Sequence, residues 1–257
     1  MKFGSNIFAA VSLASALAMF PATHALAQSN PDAQTQADVT KALDKKQFSD
    51  VHAQVNNGVV KLTGSVSTYA DKEDADRRAH HRKGVTAVDN ELQVAGGAEV
   101  DDATLKAKLV EKLEYDRVGY GTTAFNAISV SVQNGVVTLA GNAYGPTDKD
   151  SALSLVSHYR GVKDVIDEIN VDPLSPNDDR IRMEAYRAIY GYPSLNKYAI
   201  DPGKPIRIVV VNGNITLAGV VDTQADKDTA NIRANGVSGA FKVTNLLQVA
   251  NAREAKR

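Results

Sequence analysis

The sequence predicts an α+β protein of three tandem α-β-β-α-β modules, each a small mixed sheet with two helices on one face. The main observation is a motif of the form N-G-x-[V/I]-x-L-x-G that occurs three times, at spacings of 77 and 78 residues. The first glycines of the three copies are Gly58, Gly135 and Gly213. A further glycine follows 26 residues after each of them: Gly84, Gly161 and Gly239. A constant internal period indicates one folded unit used three times.

Each motif forms the second half of a predicted β-hairpin. In the first module Val51, Ala53 and Val55 alternate with polar residues, and after an Asn-Gly turn the apolar positions continue at Val60 and Leu62. Asn-Gly favours a tight hairpin turn because both residues tolerate a positive φ. We therefore expect the motif glycines to be structural rather than phosphate-binding. They are Gly58, Gly64, Gly135, Gly141, Gly213 and Gly219.

Two helices and a third strand complete each module. The helices before the hairpins are predicted at 37–43, 103–113 and 181–189, and those after the hairpins at 70–83, 146–159 and 223–235. Ser67, Thr147 and Thr223 are candidate caps of the second helices, and Pro146 suits a first helical turn. Alternating apolar residues near 88–94, 165–171 and 243–249 predict the third strands.

The modules differ between the first helix and the hairpin. If Asp38, Asp102 and Asp179 are aligned, 20, 33 and 34 residues separate them from the first motif glycine, so modules 2 and 3 carry about 13 extra residues. The insertion of module 2 contains Tyr115, Tyr120 and Phe125, and that of module 3 contains Tyr190, Tyr192 and Tyr198. The outward positions Val209 and Val211 of the third hairpin are also more apolar than their counterparts. We expect this face to pack on the neighbouring module, on its own loop or on an external partner, with Tyr190, Tyr192, Tyr198, Val209 and Val211 as candidate partner contacts.

The N-terminus has the features of a secretory signal peptide. Lys2 precedes an apolar run at 7–20, which is too short to cross a membrane, and Ala25 and Ala27 form an A-x-A site. We predict cleavage between Ala27 and Gln28, no transmembrane segment in the mature chain, and a periplasmic location. The predicted boundaries are 1–27 for the signal peptide, 28–94, 101–171 and 178–249 for the modules, and 250–257 for a polar tail. The linkers at 95–100 and 172–177 are short, so we expect neighbouring modules to touch.

Composition and motifs argue against most chemistry. There is no cysteine, and without Lys2 the chain has 28 Lys and Arg against 30 Asp and Glu, so nucleic acid is not an expected partner. Adjacent His80 and His81 diverge on a helix, and no nucleophile elbow, P-loop or dinucleotide motif is present. Asp178 and Asp179 suit a helix start, where negative charge meets the helix dipole. We expect no enzyme activity, no metal and no cofactor.

One cluster of basic residues stands out, at the end of the second helix of module 1. Its members are Arg77, Arg78, His80, His81, Arg82 and Lys83. Cations at a helix C-terminus complement the macrodipole, so a solvated helix end is one interpretation. The other is contact with anionic lipid headgroups, for which Arg77, Arg78, His81, Arg82 and Lys83 are the candidate residues.

The three hairpins, Gly161 to Val165 and the pattern Asn-x-Leu-x-Val at Asn90 to Val94 resemble the BON family, the bacterial OsmY and nodulation domain. The resemblance covers nearly all of the mature chain. It implies a non-enzymatic periplasmic or envelope protein, peripheral to phospholipid headgroups or envelope proteins and connected with osmotic or envelope stress. Two alternatives remain open: a periplasmic chaperone that holds unfolded clients on its tyrosine-rich insertions, and a structural protein–protein scaffold of the envelope.

Overall fold

The computed structural model describes residues 31–95, 100–115, 123–201 and 203–250, and within them it forms three α+β modules. Module 1 comprises α1 (Pro31–Ala42), β1 (Val51–Asn56), β2 (Val59–Val66), α2 (Tyr69–His80), β3 (Ala87–Asn90) and β4 (Gln93–Val94). Module 2 comprises α3 (Asp102–Tyr115), β5 (Ala127–Gln133), β6 (Val136–Ala143), α4 (Pro146–Ser157) and β7 (Asp164–Val171). Module 3 comprises α5 (Pro176–Tyr190), α6 (Lys197–Ile200), β8 (Arg207–Val211), β9 (Asn214–Ala218), β10 (Val220–Val221), α7 (Gln224–Asn235), β11 (Lys242–Asn245) and β12 (Gln248–Val249).

The three sheets share one topology, which confirms the predicted fold class. In each module the hairpin strands are antiparallel, and the strand after the second helix lies parallel to the central strand. The parallel pairing follows from the helical crossover, which returns the chain to the same end of the sheet. The first strand of each hairpin, β1, β5 or β8, is therefore an edge strand.

The Asn-Gly turns have the backbone that the motif predicts. Asn57 and Gly58 have φ values of 50° and 78°, and the other two turns repeat this pair of positive angles. The second glycine of the motif is required for a different reason, which is steric. A Cβ on Gly64 would collide with the carbonyl oxygen of Asp50 across the hairpin, so only glycine allows this close approach.

A carboxylate at the start of the first helix holds each hairpin turn. Asp32 accepts hydrogen bonds from the backbone N–H groups of Asn57 (2.7 Å) and Gly58 (3.0 Å). Asp102 binds the second turn at 2.6 and 2.9 Å, and Asp178 binds the third at 2.9 and 2.8 Å. We call this contact the carboxylate clamp. A carboxylate–amide hydrogen bond is among the stronger kinds in proteins, so the clamp fixes the helix start to the hairpin tip.

The clamp corrects the predicted alignment of the modules. Asp32, rather than Asp38, is the equivalent of Asp102, and Asp178, rather than Asp179, is their equivalent in module 3. The clamp aspartate precedes the first turn glycine by 26, 33 and 35 residues, so the insertions are about 7 and 9 residues long, and the value of 13 is wrong. The error arose because α1 begins at Pro31, six residues before the predicted start.

Two of the three predicted helix caps are also wrong. Thr68, not Ser67, caps α2 by accepting the N–H of Asp71. Helix α4 begins at Pro146 with Gly145 as its N-cap residue, so no side chain caps it and Thr147 does not. Thr223 caps α7 as predicted, through the N–H of Asp226.

Neighbouring modules touch, as the short linkers predict. Helix α2 contacts α4, and Tyr69 of module 1 packs against the core of module 2, where burial and the carboxylates Glu73 and Asp164 raise the pKa of its hydroxyl. Between modules 2 and 3 the contact is more extensive. Phe125 belongs to the core of module 3, and buried Arg182 places Nη2 3.3 Å from Oδ2 of Asp172 in the linker.

Several predictions fall on residues outside the described ranges. These are the signal peptide at 1–27, most of the first linker, Tyr120, and residues 251–257 of the tail.

The clamp leads to the first prediction. Asp32→Ala leaves two turn amides without their acceptor, so we expect module 1 to lose about 1–3 kcal/mol of unfolding free energy. Hydrogen exchange at the amides of Asn57 and Gly58 should accelerate by a corresponding factor. Asp38→Ala on the same helix is the matched control, because Asp38 accepts a hydrogen bond from the exposed side chain of Gln34 and does not contact the turn. Equal acceleration in both variants would contradict the role given to Asp32.

Candidate functional site

A groove lies between α1 and the C-terminal end of α2 in module 1, and we call it the basic groove. Its volume is about 560 Å³. Its basic lining residues are Lys41, Lys45, Arg78, His81, Arg82 and Lys83, and Asp38 is the acidic residue among the lining side chains. The groove is therefore a concave surface dominated by positive charge.

The packing of the two helices produces this concentration of charge. Helix α1 lies beside α2 and runs in the opposite direction, since Thr35 in its first half donates to the carbonyl oxygen of Lys83, just after α2. Lys41 lies in the last turn of α1, while Arg82 follows α2 and donates from Nε to the carbonyl oxygen of Arg78 at 3.1 Å. Cations near the C-terminus of each helix interact favourably with the negative end of its dipole. Basic side chains of both helices thus line one groove.

Part of the charge of the predicted cluster is neutralised locally. Asp74 accepts hydrogen bonds from Arg77 and from Nε of Arg78, the latter at 2.7 Å. Burial raises the pKa of Asp74, but the two arginine hydrogen bonds outweigh it and hold the pKa below its ordinary value. The guanidinium of Arg78 also lies 5.8 Å from the centre of the Phe48 ring. Arg78 is consequently a fixed wall of the groove, whereas His81, Arg82 and Lys83 are exposed.

The structure brings together four of the predicted residues and adds two. Arg78, His81, Arg82 and Lys83 line the groove, and Arg77 is not among its lining residues. Lys41 and Lys45 were missed because they belong to the other helix, 33 or more residues earlier in the chain. Their position at the end of α1 could have indicated them as groove residues only if the packing of α1 beside the end of α2 had been known.

The basic residues of the groove are not repeated in module 2. When the sequences are aligned on the clamps and the late glycines, the positions of Lys41, Arg78 and Arg82 are occupied in module 2 by Glu111, Leu155 and Tyr159. None of these three side chains carries a positive charge.

Module 3 retains part of the charge. The same alignment places Arg187 at the position of Lys41, Arg233 at that of Arg78 and Val237 at that of Arg82.

The predicted partner surface of module 3 is largely internal, and most of that prediction is wrong. Tyr190 and Tyr198 are 4% and 2% exposed, and Val209 is buried as well. The Tyr190 hydroxyl donates to the carbonyl oxygen of Ile206 at 2.7 Å, so the ring packs inward with its polar end satisfied. Strand β8 contacts β5 and the 3-10 turn Thr123–Phe125 of module 2, which confirms the neighbouring module as the cover of this face. Val211 is half-buried, and Tyr192 is exposed beneath the guanidinium of Arg233.

Tyr198 and Lys197 attach the inserted helix α6 to the start of α7. The Tyr198 hydroxyl donates to Asp226 at 2.9 Å and accepts the N–H of Asp222 at 2.7 Å. Nζ of Lys197 lies 2.8 Å from Oδ2 of Asp222 and 3.1 Å from Oδ2 of Asp226. The Lys197 hydrogen bond lowers the pKa of Asp222. Burial acts to raise the pKa of Asp226, but hydrogen bonds from Tyr198 and Lys197 lower it further.

The chemistry of the basic groove is that of a binding surface for anions. In the described ranges, no group of three or more histidine and carboxylate side chains is placed to hold a metal ion. None of the helices in those ranges combines the length and the hydropathy that a bilayer crossing requires. What the basic groove can do is attract and hold an anionic group at the surface.

Comparison with known proteins agrees with the modular fold. The family model described as BON domain matches residues 31–96, 101–173 and 178–251. The chain is 25% identical to osmotically-inducible protein Y of Escherichia coli (strain K12), over 74% of this chain and 92% of the relative. It is 26% identical to the outer membrane lipoprotein DolP of Haemophilus influenzae, over 59% of this chain and 76% of the relative. The C-terminal domain of CdsD, a structural protein of the type III secretion system of Chlamydia trachomatis, is 15% identical with a TM-score of 0.25 over 83% of this chain and 96% of that domain, a similarity too low to bear on the fold.

The second prediction concerns pH. Lys197→Met removes the cation from two carboxylates whose folded pKa values lie below the ordinary 3.8, and we expect a lower melting temperature at neutral pH. A lowered carboxylate pKa contributes stability above pH 3.8 that is lost as the pH falls through the folded values. The difference in melting temperature between the wild type and the variant should therefore be constant near pH 7 and shrink below pH 3.8. Lys242→Met, at an exposed residue of β11, is the control, and a difference that persists undiminished at acid pH would count against the network.

Proposed function

The chain belongs to the BON domain family, and we propose that it is a non-enzymatic protein of the bacterial cell envelope that attaches to anionic phospholipid surfaces through the basic groove of module 1. The observation that carries this proposal is that basic side chains of α1 and of the C-terminal end of α2 line one groove. Each basic residue close to an anionic membrane surface contributes roughly 1 kcal/mol to attachment. A groove that joins several such residues gives a reversible peripheral contact, without insertion of a helix.

The relatives support the envelope part of this proposal. One is by name an outer membrane lipoprotein and another an osmotically inducible protein. Signal-peptide export to the periplasm and a role in osmotic or envelope stress belong to the same proposal. In this chain, which has no cysteine that could carry a lipid anchor, charge supplies the attachment.

The burial of the tyrosines bears on the chaperone alternative. A client-holding surface built from Tyr190 and Tyr198 is not available, because both rings are buried. Tyr192 remains exposed, but one aromatic ring beneath an arginine is not a broad apolar surface. The burial therefore favours attachment to lipid over the holding of unfolded chains. An envelope scaffold role is compatible with attachment and would add protein partners to it.

Flotation of the mature protein with lipid vesicles tests the proposal. We expect flotation with vesicles that contain phosphatidylglycerol, little with pure phosphatidylcholine, and a decrease as salt rises. Lys45→Gln with Arg82→Gln removes one cation from each side of the groove and should weaken attachment about 30-fold, from roughly 1 kcal/mol per residue.

The matched control is Lys106→Gln with Lys242→Gln, which changes the net charge equally at exposed residues of modules 2 and 3. We expect this control to float like the wild type. Equal weakening in both double variants would assign attachment to net charge and overturn the role of the groove. Absence of flotation together with suppressed aggregation of an unfolded client would favour the chaperone.

A further inference from the structure

The basic groove holds more positive charge than the described part of the chain neutralises. Asp74 pairs with Arg78 at one wall, and Asp38 is the acid of the lining. Within the described ranges, four other basic lining residues form no ion pair with a carboxylate: Lys41, Lys45, Arg82 and Lys83. Elsewhere in module 1 an exposed lysine is neutralised, since Nζ of Lys61 lies 2.6 Å from Oε1 of Glu91. The groove therefore keeps its charge available for an external anion.

The cations are spread along the groove rather than gathered at one point. Lys41 and Lys45 are four residues apart on the wall that α1 begins, and Arg78 and Arg82 have the same spacing on the wall at the end of α2. Four residues correspond to about 6 Å along a helix. Each wall therefore presents cations at two positions along the groove. One phosphate can lie close to part of this charge, whereas two linked phosphates can contact both positions.

The size of the groove also favours a ligand larger than one phosphate. Its volume of about 560 Å³ is within the range of roughly 300–1,000 Å³ that is typical of small-molecule sites. A single phosphate, one phosphorus atom with its oxygens, fills a minor part of that space, given that one water takes up roughly 30 Å³. Because the groove is concave, a group that projects from a membrane, or one that is free in solution, can reach the cations of both walls.

Asp38 and Arg78 give the groove a direction and a fixed element. Asp38 lies one turn before Lys41 on α1 and is half-buried, so its carboxylate repels phosphate from that end of the groove. The Arg78 guanidinium is held by Asp74 and by the ring of Phe48, so this cation is already ordered before a ligand arrives. Order of this kind reduces the entropic cost of binding.

We propose that the basic groove selects a group with two linked phosphates over a group with a single phosphate. Lys41 and Lys45 bind this group from one wall, and Arg82 and Lys83 bind it from the other. Two linked phosphates occur in lipid headgroups and in small solutes, and the groove recognises the chemistry that both share. The inference rests on the proposed function in that it uses the same groove, and it adds the class of anion that the groove prefers.

Titration calorimetry of the mature protein with pyrophosphate and with orthophosphate, at one pH and one ionic strength, tests the preference. We expect pyrophosphate to bind about 30-fold more tightly, because it contacts two further cations. Lys41→Gln and Arg82→Gln each remove one cation, from opposite walls, and each should weaken pyrophosphate binding about fivefold. Lys46→Gln is the matched control, because Lys46 is an exposed neighbour of Lys45 that does not line the groove.

Asp38→Asn is a variant that should improve binding. It removes the like charge from the groove, so we expect pyrophosphate to bind about fivefold more tightly, a gain that damage to folding would not produce. Pyrophosphate binding that none of the groove variants changes would overturn the assignment to this groove.

Flotation then identifies the source of the two phosphates. Vesicles with cardiolipin, which has two phosphates in one headgroup, are compared with phosphatidylglycerol vesicles of the same total charge. Stronger flotation with cardiolipin, reduced in Lys41→Gln and Arg82→Gln, would assign the two phosphates to a lipid. Tight pyrophosphate binding without a preference for cardiolipin would support a soluble ligand, and if neither lipid gave flotation, the proposed attachment alone would be wrong. Flotation with both lipids and no preference in either comparison would overturn this inference and leave the attachment standing.

Discussion

The carboxylate clamp is the contact on which the rest of each module depends. An Asn-Gly turn directs two backbone N–H groups away from the sheet, and in all three modules the turn glycine is buried. A buried amide without an acceptor is costly, so the aspartate at the helix start is required by the hairpin as much as by the helix. Its position fixes the N-terminus of the first helix at the hairpin tip. The helix then runs back along the edge strand, and variation in chain length can be accommodated only between its C-terminus and that strand.

The three modules differ in the segment that connects the first helix to the edge strand. In module 1 the connection is short, and Phe48 packs into the core of its own module. In module 2 the equivalent Phe125 packs into the core of module 3, 5.8 Å from the ring of Tyr186. In module 3 the connection forms α6, which Tyr198 attaches to the start of α7. A shared anchor at one end of the helix therefore permits variation at the other, and Lys41 and Lys45 of the basic groove lie at that variable end.

Patterns among neighbouring residues were enough to predict the fold. The wrong predictions concern side chains whose partners lie far away in the sequence. The hairpins follow from Asn-Gly and alternation, because the turn and strands involve neighbouring residues. The alignment on Asp38 follows from the predicted helix start at Ala37, which leaves Asp32 outside the helix until the structure places it at the turn. Tyr190 and Tyr198 are candidate partner contacts because they lie in an insertion, yet hydrogen bonds to Ile206 and Asp226 allow their burial. The sequence predicted the groove residues at the end of α2. Lys41 and Lys45, at the end of α1, could not be predicted without knowing that α1 packs beside α2.

The packing of α1 against α2 decides how strongly module 1 can hold an anionic surface. A single exposed cation makes a weak contact, because exposed charges are screened over about 8–10 Å at physiological salt. Lys41 and Lys45 come from α1, whereas Arg78, Arg82 and Lys83 come from the end of α2, and all of them line one groove. Several cations can therefore act together on one anionic surface, which residues of a single helix could not do as fully.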